Sequence, residues 1–410
     1  MKLPEESKHK VSAMMVKHLE DLRDEEQIIN VFLKKDSQIS TASLNTQLEE
    51  VGAKVIDRFD TINTDVIQVK ASHLKEILKN PAVKSVVMEQ TYHLTLDVAN
   101  KVVTNPVNPD IETSLSGKGV TIAIIDTGIY PHPDLTMPNN RIIGFYDVFK
   151  KQEVEPFDDG GHGTHCAGCA AGNGHSSGGK YRGLAYQANL VGVRVFEGPN
   201  TSTRRIIQGI EWCIKNKEKY DIKVMSLSLG AIALNPPEID PLCTILREAQ
   251  NHGITVLAAA GNEGPFPQSI GSPGTEPEVI TVGATNDKNT VGSADDAISN
   301  FSSRGPTKFG HQKPDVVAPG TNIISLRSVN SDYDQSFPEK RVGEDYCTMN
   351  GTSMATPIVA GLAALLYEAK PDATPEEIRD AILKGAKDLF HDADSAGRGY
   401  TSLKSSLEHL

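Results

Sequence analysis

The sequence predicts an α/β domain with a mostly parallel central sheet and helices on both faces, preceded by a small α+β unit. From Val120 onward, short runs of β-branched and small apolar residues recur, and segments of helical length separate them. Such runs suit parallel strands that are buried on both faces, and their alternation with helices is typical of α/β domains. A separate pattern of strands and helices before residue 97 indicates the smaller unit.

The N-terminal region divides into an extension and a compact unit. Residues 1–26 are polar but carry apolar residues at helical spacing, which predict a helix packed on a neighbouring surface: Val11, Met14, Met15 and Leu19. Residues 27–96 predict the order strand, helix, strand, strand, helix, strand, which is the ferredoxin-like arrangement. The predicted strands cover residues 27–33, 54–59, 65–69 and 83–88, and the predicted helices cover residues 41–51 and 71–80. Small units with this order have many functions, so the order alone assigns none.

Changes in amino-acid composition also indicate the remaining domain boundaries. Residues 97–117 form a polar connector that contains Pro and Asn, and residues 118–410 form the predicted α/β domain. Within it, residues 332–345 are rich in charge and are predicted to be a solvated loop.

Composition excludes some function classes. The formal net charge of −12 argues against a general binder of nucleic acid or of anionic membranes, so we predict neither as a partner. No segment approaches the ~20 apolar residues needed to span a bilayer. The N-terminus lacks the apolar core of a signal peptide, which predicts a cytoplasmic location. The alternative is a secreted protein whose signal peptide is missing from the sequence.

The cysteines agree with a reducing compartment. There are five, an odd number in a long chain, which does not resemble a disulfide framework. Cys166 and Cys169 are spaced C-x-x-C, but no second pair accompanies them. We therefore expect buried, free thiols rather than a zinc or redox site.

Three segments of the α/β domain carry residues suited to chemistry. Asp126 follows the buried strand at residues 120–125, where α/β sheets place their sites, although a turn or capping role would also fit. His162 stands between glycines that leave its ring unobstructed, and His165 three positions later leaves metal binding open for this segment alone. Ser353 falls in the first turn of an apolar helix, where an ordinary capping serine would also fit.

Together the three segments are far less ambiguous. An acid, a histidine and a serine occur on separate elements in the chain order Asp, His, Ser. Their surroundings, DTG at 126–128, GHGTHCAG at 161–168 and GTSMATP at 351–357, resemble the three signature segments of the subtilisin-like serine proteases. The resemblance covers about residues 100 to 400 and implies the subtilisin-like fold and a serine endopeptidase that forms an acyl-enzyme intermediate.

The resemblance also implies roles for individual residues. Ser353 would be the nucleophile, His162 the general base, and Asp126 the group that orients the imidazole. Asn262 and the backbone N–H of Ser353 would form the oxyanion hole. The primary specificity pocket would be small and uncharged, which implies broad specificity with a preference for large apolar residues before the cleaved bond. Its walls and floor would be Ser228, Leu229, Gly230, Ala259, Ala260, Gly261 and Gly271.

The N-terminal unit is similar in pattern to the propeptides of this family, which assist folding and then inhibit. Aligned in this way, Leu96 would occupy the primary pocket, and self-cleavage would fall between Leu96 and Asp97. The partners would be protein and peptide substrates and the chain's own propeptide.

The triad chemistry needs no cofactor, although a structural calcium ion is possible. Asp134 matches a calcium ligand of the family, but the six or more oxygens that calcium requires cannot be assembled from the sequence.

Two other functions compete with this interpretation. A non-catalytic binding protein on a protease scaffold would have no need for Asp126, His162, Ser353 and Asn262 together. A relative with an acidic serine-carboxyl triad would carry Glu where His162 stands.

Overall fold

The computed structural model describes residues 5–22, 24–94, 114–288 and 295–410. In its N-terminal part, a four-stranded antiparallel sheet has the order β2-β3-β1-β4. The strands are β1 (Ile28–Lys35), β2 (Lys54–Phe59), β3 (Thr64–Lys70) and β4 (Val83–Met88), and the helices are α1 (Ala13–Asp21), α2 (Ala42–Glu50) and α3 (Leu74–Lys79). This is the order of elements and of strands in a ferredoxin-like unit.

Helix α1 packs on this unit. Val11, Met15 and Leu19 are buried in the same apolar cluster as residues of β1, α2 and α3. Met14, which the periodicity also assigned to the buried stripe, is 49% exposed. Lys10 Nζ donates to the carbonyl oxygens of Leu78 and Asn80, at 2.8 and 2.9 Å, and so fixes the start of the extension to the end of α3.

The larger domain is built on a mixed sheet with the order β15-β14-β13-β11-β6-β9-β7-β8, with β16 also paired to β14. The interior pairs are parallel, and the pairs β14·β15 and β7·β8 at the two ends are antiparallel. The strands are β6 (Thr121–Asp126), β7 (Ile142–Asp147), β8 (Gln152–Glu153), β9 (Asn189–Arg194), β11 (Ile222–Leu227), β13 (Thr255–Ala259), β14 (Ile280–Asn286), β15 (Ala297–Ile298) and β16 (Val316–Pro319).

Helices cover both faces of this sheet. The alternation along β6 shows the division, because Ile122 and Ile124 join one buried apolar cluster and Ala123 and Ile125 join the other. The first cluster includes residues of α5 (His162–Ala171), α10 (Thr352–Ala369), α11 (Pro375–Gly385) and α13 (Leu403–Glu408); the second includes residues of α6 (Thr203–Lys215) and α8 (Pro241–Asn251). Short helices α4 (Pro133–Thr136), α7 (Lys217–Tyr220), α9 (Asp332–Ser336) and α12 (Ala393–Ala396) complete the set described.

Helix α10 is the central helix of the domain. Contrary to the expectation that no segment approaches the length needed to span a bilayer, this helix is long and apolar enough to do so, alone among the described helices. However, 89% of it is buried inside the protein. It therefore serves as a core helix, packed on α5 and on the sheet.

The charged segment at residues 332–345 is mostly exposed, as its composition predicts, but it is not an irregular loop. It forms α9 and strand β18 (Arg341–Val342), which joins β17 (Ile323–Leu326) and β19 (Tyr346–Met349) in a small sheet. Asp334 is buried because Arg327 and Arg341 hold its carboxylate, with Nε–Oδ1 distances of 2.5 and 2.6 Å. Tertiary ion pairs thus hold Asp334 inside the protein while most of the segment faces water.

The two parts of the chain meet through a second three-stranded sheet. Strand β5 (Thr91–Leu94) lies between β10 (Asn200–Ser202) and β12 (Leu229–Gly230) and is antiparallel to both. A segment of the N-terminal part is thereby inserted into the surface of the larger domain.

Candidate active site

His162 and Asp126 form a direct, buried contact. The Nδ1 atom of His162 lies 2.7 Å from Oδ1 and 2.9 Å from Oδ2 of Asp126. The backbone N–H of Thr127 also donates to Asp126 Oδ1, at 2.7 Å. These bonds fix the carboxylate and direct the Nδ1 side of the imidazole toward it, which leaves Nε2 for proton transfer.

The start of α5 explains how His162 reaches this position. Gly161 precedes the helix with φ +93°, a conformation that other residues rarely adopt. A Cβ atom on Gly163 would stand 2.2 Å from the carbonyl oxygen of Gly128, so the helix approaches the end of β6 too closely for any side chain there. The glycines around His162 are thus a packing requirement as well as a sequence signature.

Asp158 caps the same turn, a role that the sequence analysis did not assign. Its carboxylate accepts from the backbone N–H groups of Gly161 and Thr164, both at 2.8 Å, and from the Thr164 hydroxyl at 2.5 Å. Burial raises the pKa of Asp158 above its usual value, although these hydrogen bonds oppose the shift. An acidic residue three or four positions before the helix was the only available signal.

Ser353 stands in the first turn of α10, beside the end of β11. Its Oγ lies 3.0 Å from the carbonyl oxygen of Ser228, and the Ser228 hydroxyl donates to the Ser353 carbonyl at 2.8 Å. The Ser353 carbonyl can accept from the Ser228 hydroxyl because Pro357, four residues on, has no N–H to donate to it. The proline of the GTSMATP segment therefore frees the backbone of the serine for contacts with the sheet.

Cys166 connects the two helices. Its Sγ lies 3.8 and 4.0 Å from Nδ1 and Nε2 of His162, and 3.4 Å from the carbonyl oxygen of Ser353. Asp126, His162, Cys166 and Ser353 therefore share one neighbourhood. Burial, and then the charge of Asp126, raise the pKa of the thiol well above its usual value, so it stays neutral. All five cysteines are buried and free, as the sequence predicted.

His165 does not take part in this cluster of functional groups. Its Nε2 lies 3.1 and 3.2 Å from the carbonyl oxygens of Ile323 and Cys347, and burial lowers its pKa to about 3. It is a neutral structural residue in the core.

Asn262 has the geometry of an oxyanion donor. Its Oδ1 accepts from the backbone N–H and from the hydroxyl of Thr352, both at 3.0 Å. An N–H can only donate, so these bonds fix which atom of the amide is oxygen. Among the described residues, the buried Nδ2 has no hydrogen-bond partner, and Asn262 lines a cavity of about 1200 Å³ at the cleft. An unpaired buried donor is costly unless something accepts from it, and an oxyanion on a bound substrate would do so.

The predicted pocket residues lie around this cavity. Gly230, Gly261 and Gly271 line it. Ser228 lies between β11 and β12, and Leu229 begins β12, so both directly precede Gly230 along the chain. Ala259 ends β13, and Ala260 accepts from the backbone N–H of Gly271 at 3.0 Å. A Cβ on Gly271 would stand 2.7 Å from the carbonyl oxygen of Ala231, so a side chain there would collide with the opposite wall.

Asp134 does not have the surroundings of a calcium ligand. Its Oδ1 accepts from the Ser176 N–H at 2.8 Å, and its Oδ2 accepts from the Tyr346 hydroxyl at 2.9 Å. Both oxygens therefore face hydrogen-bond donors, whereas calcium requires a shell of oxygen acceptors. The described residues around Asp134 do not fit the ion.

The predicted processing residues, Leu96 and Asp97, lie outside the described residues.

The arrangement suits nucleophilic attack on an amide. The Asp126 carboxylate holds the His162 imidazole, and Cys166 contacts both His162 and Ser353. The Asn262 amide places a donor at the cleft. These are the groups needed to deprotonate a hydroxyl and to stabilise a tetrahedral oxyanion.

Comparisons with known proteins agree with this chemistry. The model of the subtilase family matches residues 117–401. Serine protease AprX of Bacillus subtilis (strain 168) is 47% identical over 368 residues, which cover 88% of this chain and 82% of AprX. Subtilisin E of the same organism is 33% identical over 364 residues, covering 87% and 84% of the two chains.

A solved structure supports the fold. Fervidolysin from Fervidobacterium pennivorans, a keratinolytic enzyme related to subtilisin, matches with a TM-score of 0.73 and 22% identity. The match covers 95% of this chain and 62% of the fervidolysin chain, so this chain spans less than two thirds of that protein. The predicted subtilisin-like α/β fold is confirmed. The chain belongs to the subtilase family and is a serine endopeptidase that acts on protein substrates.

Proposed function

We propose that this subtilase is made as a self-processing proenzyme whose N-terminal unit inhibits it by occupying the substrate cleft. We further propose that the processed enzyme has broad specificity and favours large apolar residues before the cleaved bond. Strand β5, held between two strands of the larger domain, is the observation that carries the first proposal.

Strand β5 is bound as an extended peptide substrate would be. Leu94 pairs with Leu229 and His93 with Gly230 on one side, and Thr91, Tyr92 and His93 pair with β10 on the other side. Main-chain pairing of this kind supplies affinity with little dependence on sequence. A chain held there excludes any other peptide from the same groove.

The rest of the N-terminal unit anchors this strand. Phe32, Phe59 and Ile62 belong to the same buried apolar cluster as residues of α6 and α8. The Thr61 hydroxyl donates to Glu211 at 2.9 Å, and Gln208 donates to Asp57 at 2.5 Å. The unit therefore contributes an apolar face and polar contacts in addition to β5, which suits an intramolecular inhibitor.

The register of β5 bears on the bond that is cleaved. Residues 93 and 94 face residues 230 and 229, so a substrate bound in the same register would place its next residue opposite Ser228. The Ser228 carbonyl oxygen lies 3.0 Å from Ser353 Oγ. We therefore expect the substrate residue opposite Ser228 to precede the cleaved bond, and the same count along this sequence gives the bond after Thr95, one residue before the bond after Leu96 that the sequence resemblance implied.

The proposed apolar preference rests on the pocket walls. The predicted wall residues are small or apolar, and Gly271 leaves room that a side chain would fill, although the wider cavity is also lined by polar and charged residues such as Glu263 and Lys308. Burying an apolar side chain there gains roughly 1.5–3 kcal/mol relative to leaving it exposed.

Intact mass measurements of the purified full chain and of Ser353→Ala test self-processing. We expect the wild type to separate into two fragments and Ser353→Ala to remain whole, because the nucleophile makes the cut. The fragment masses distinguish cleavage after Thr95 from cleavage after Leu96. Equal cleavage of Ser353→Ala would show that another protease is responsible.

Labelling with a fluorophosphonate probe tests inhibition. The Asn262→Ala variant, whose processing should be slow, is expected to label slowly while intact and faster once its N-terminal unit is degraded. Peptides with Leu, Phe, Glu or Lys before the cleaved bond test the preference, and equal kcat/KM for all four would contradict it. A chain that never labels would instead support the non-catalytic alternative.

A further inference from the structure

Tyr92 is the most deeply buried side chain of β5. It is 0% exposed, while its neighbours Thr91 and His93 are exposed. Its ring belongs to the same apolar cluster as Leu229 and Leu242, and its hydroxyl lies 3.0 Å from Ser272 Oγ. The subsite that holds Tyr92 therefore has an apolar wall and a polar end.

The polar end is built into the larger domain. Ser272 and Asp240 are 0% and 1% exposed, and the Ser272 hydroxyl donates to Asp240 Oδ2 at 3.1 Å. The backbone of Ser272 pairs with Ala231, directly after β12, through two hydrogen bonds of 3.0 and 2.9 Å. Asp240 Oδ1 caps α8 by accepting from the Leu242 N–H at 2.8 Å. Both residues are therefore fixed before a ligand arrives.

The pair offers one hydrogen-bonding position that only a hydroxyl fills. When Asp240 is ionised it can only accept, so the single Ser272 hydrogen points to it and Ser272 Oγ accepts from the phenol. When Asp240 is protonated the chain of bonds reverses, and Ser272 donates to the phenol instead. In both cases phenylalanine leaves one position of buried Ser272 empty, and a site built around a substrate hydroxyl discriminates strongly against the analogue that lacks it.

We propose that Ser272 and Asp240 make this subsite selective for tyrosine over phenylalanine in substrates as well as in β5. The inference rests on the proposed function, because it treats β5 as the chain's own copy of a bound substrate. Ser272 is then a specificity-determining residue.

The register gives the position of this tyrosine in a substrate. A substrate residue in the place of Tyr92 would stand three residues before the substrate residue opposite Ser228, whose carbonyl oxygen contacts Ser353 Oγ. The selected tyrosine is therefore the fourth residue before the cleaved bond.

The test uses quenched-fluorescence peptides with the sequence of residues 90–97, carrying Tyr or Phe at the position of Tyr92. Enzyme processed from the full chain should show a kcat/KM about tenfold higher for the tyrosine peptide. In Ser272→Ala the ratio should fall to about one, with kcat/KM for the phenylalanine peptide within about threefold of wild type. Ser272→Thr, which keeps a hydroxyl, should restore a preference for tyrosine.

A second peptide pair serves as the matched control. Tyr and Phe at the position of His93, whose side chain is exposed, should be cleaved equally well. Equal rates for the first pair in the wild type, or a ratio unchanged in Ser272→Ala, would overturn the proposal.

Tyr92→Phe in the full chain tests the same contact without altering the catalytic domain. We expect the lag before activity appears to shorten several-fold, since the strand loses its polar anchor, and an unchanged lag would count against the proposal. Failure of the proposed function would look different: the full chain would not process itself, or the processed enzyme would show no apolar preference.

Discussion

Helices α5 and α10 deliver His162 and Ser353 to the same point, but their first turns are capped in different ways. Asp158 caps α5 with both oxygens of its carboxylate: Oδ1 accepts a hydrogen bond from Gly161, and Oδ2 accepts hydrogen bonds from Thr164. Asn262 caps α10 with Oδ1 alone, and its Nδ2 has no partner in the part of the chain that the structure describes. The chemistry of the two side chains explains the difference, since a carboxylate offers only acceptors and an amide carries donors as well.

The difference indicates that the Asp158 cap is structural, whereas the Asn262 cap leaves a donor for the proposed oxyanion hole. The turn at Asp158 only has to hold the imidazole in place. The turn at Asn262 must hold Ser353 and also direct an N–H toward the cleft. Substitutions that separate capping from donation should therefore affect the two helices differently.

The largest effect is expected at Asn262. Asn262→Asp keeps an oxygen for the Thr352 N–H but removes the donor, so kcat should fall by at least about 10²- to 10³-fold, the size known for removing such a donor in subtilisin. The free energy of unfolding should change by less than about 1 kcal/mol because the cap remains. Steady-state kinetics and urea denaturation measure the two effects. Asn262→Ala is the matched control, which should lose the cap as well, and a kcat near wild type in Asn262→Asp would refute the donor role.

A smaller catalytic effect with a larger structural effect is expected at Asp158. Asp158→Asn turns an amide N–H toward backbone donors in a buried site, which should cost about 1–3 kcal/mol of stability. Activity should fall about tenfold as His162 loses its fixed position. Urea denaturation in a Ser353→Ala background, which prevents autolysis, checks the first value. Unchanged stability would mean that Asp158 is not the cap.

Pro357→Ala should have a modest effect on catalysis. The new N–H at residue 357 would compete with Ser228 and Cys166 for the Ser353 carbonyl, so we expect kcat to fall by a few-fold while helix stability holds or rises. Pro375→Ala, at the first position of α11 and away from the cleft, is the matched control and should leave kcat unchanged. Identical kinetics for the two variants would remove any catalytic role for Pro357.

The smallest effect is expected where the two helices touch. Cys166→Val replaces a neutral buried thiol by a side chain of similar size, so kcat should stay within about twofold of wild type. We expect a mercurial reagent to inhibit the wild type by binding the Cys166 thiol beside His162, and this inhibition should disappear in the variant, as residual activity after incubation would show. Persistent inhibition would assign the reactive thiol to another of the five cysteines.

The sequence predicted the fold class and the candidate catalytic segments because both depend on residues that are close together in the sequence. Buried parallel strands need short apolar runs, and Gly161, Gly163 and Pro357 stand within a few residues of the side chains that they help to place. The helix at the N-terminal extension was predicted for the same reason, from the periodicity of Val11, Met15 and Leu19.

Contacts between distant segments could not be predicted in this way. The hydroxyls of Tyr92 and Ser272 meet across 180 residues of chain, and no local pattern marks either as a partner. Asp334 stands in a charge run that suggests solvent, yet Arg327 and Arg341 neutralise it in the fold. Such contacts depend on the topology of the fold, which local sequence patterns do not specify.

The groove between β10 and β12 has a consequence for the turnover of other proteins. These strands are three and two residues long, and β5 is the strand that joins them. A client polypeptide must stretch out over about four residues to take its place, and a folded globule can do so only where a stretch of its backbone has detached. When such detachment reverses faster than cleavage, the rate of digestion follows the fraction of client molecules that are open at equilibrium. The enzyme would therefore digest proteins of low stability faster than proteins of high stability.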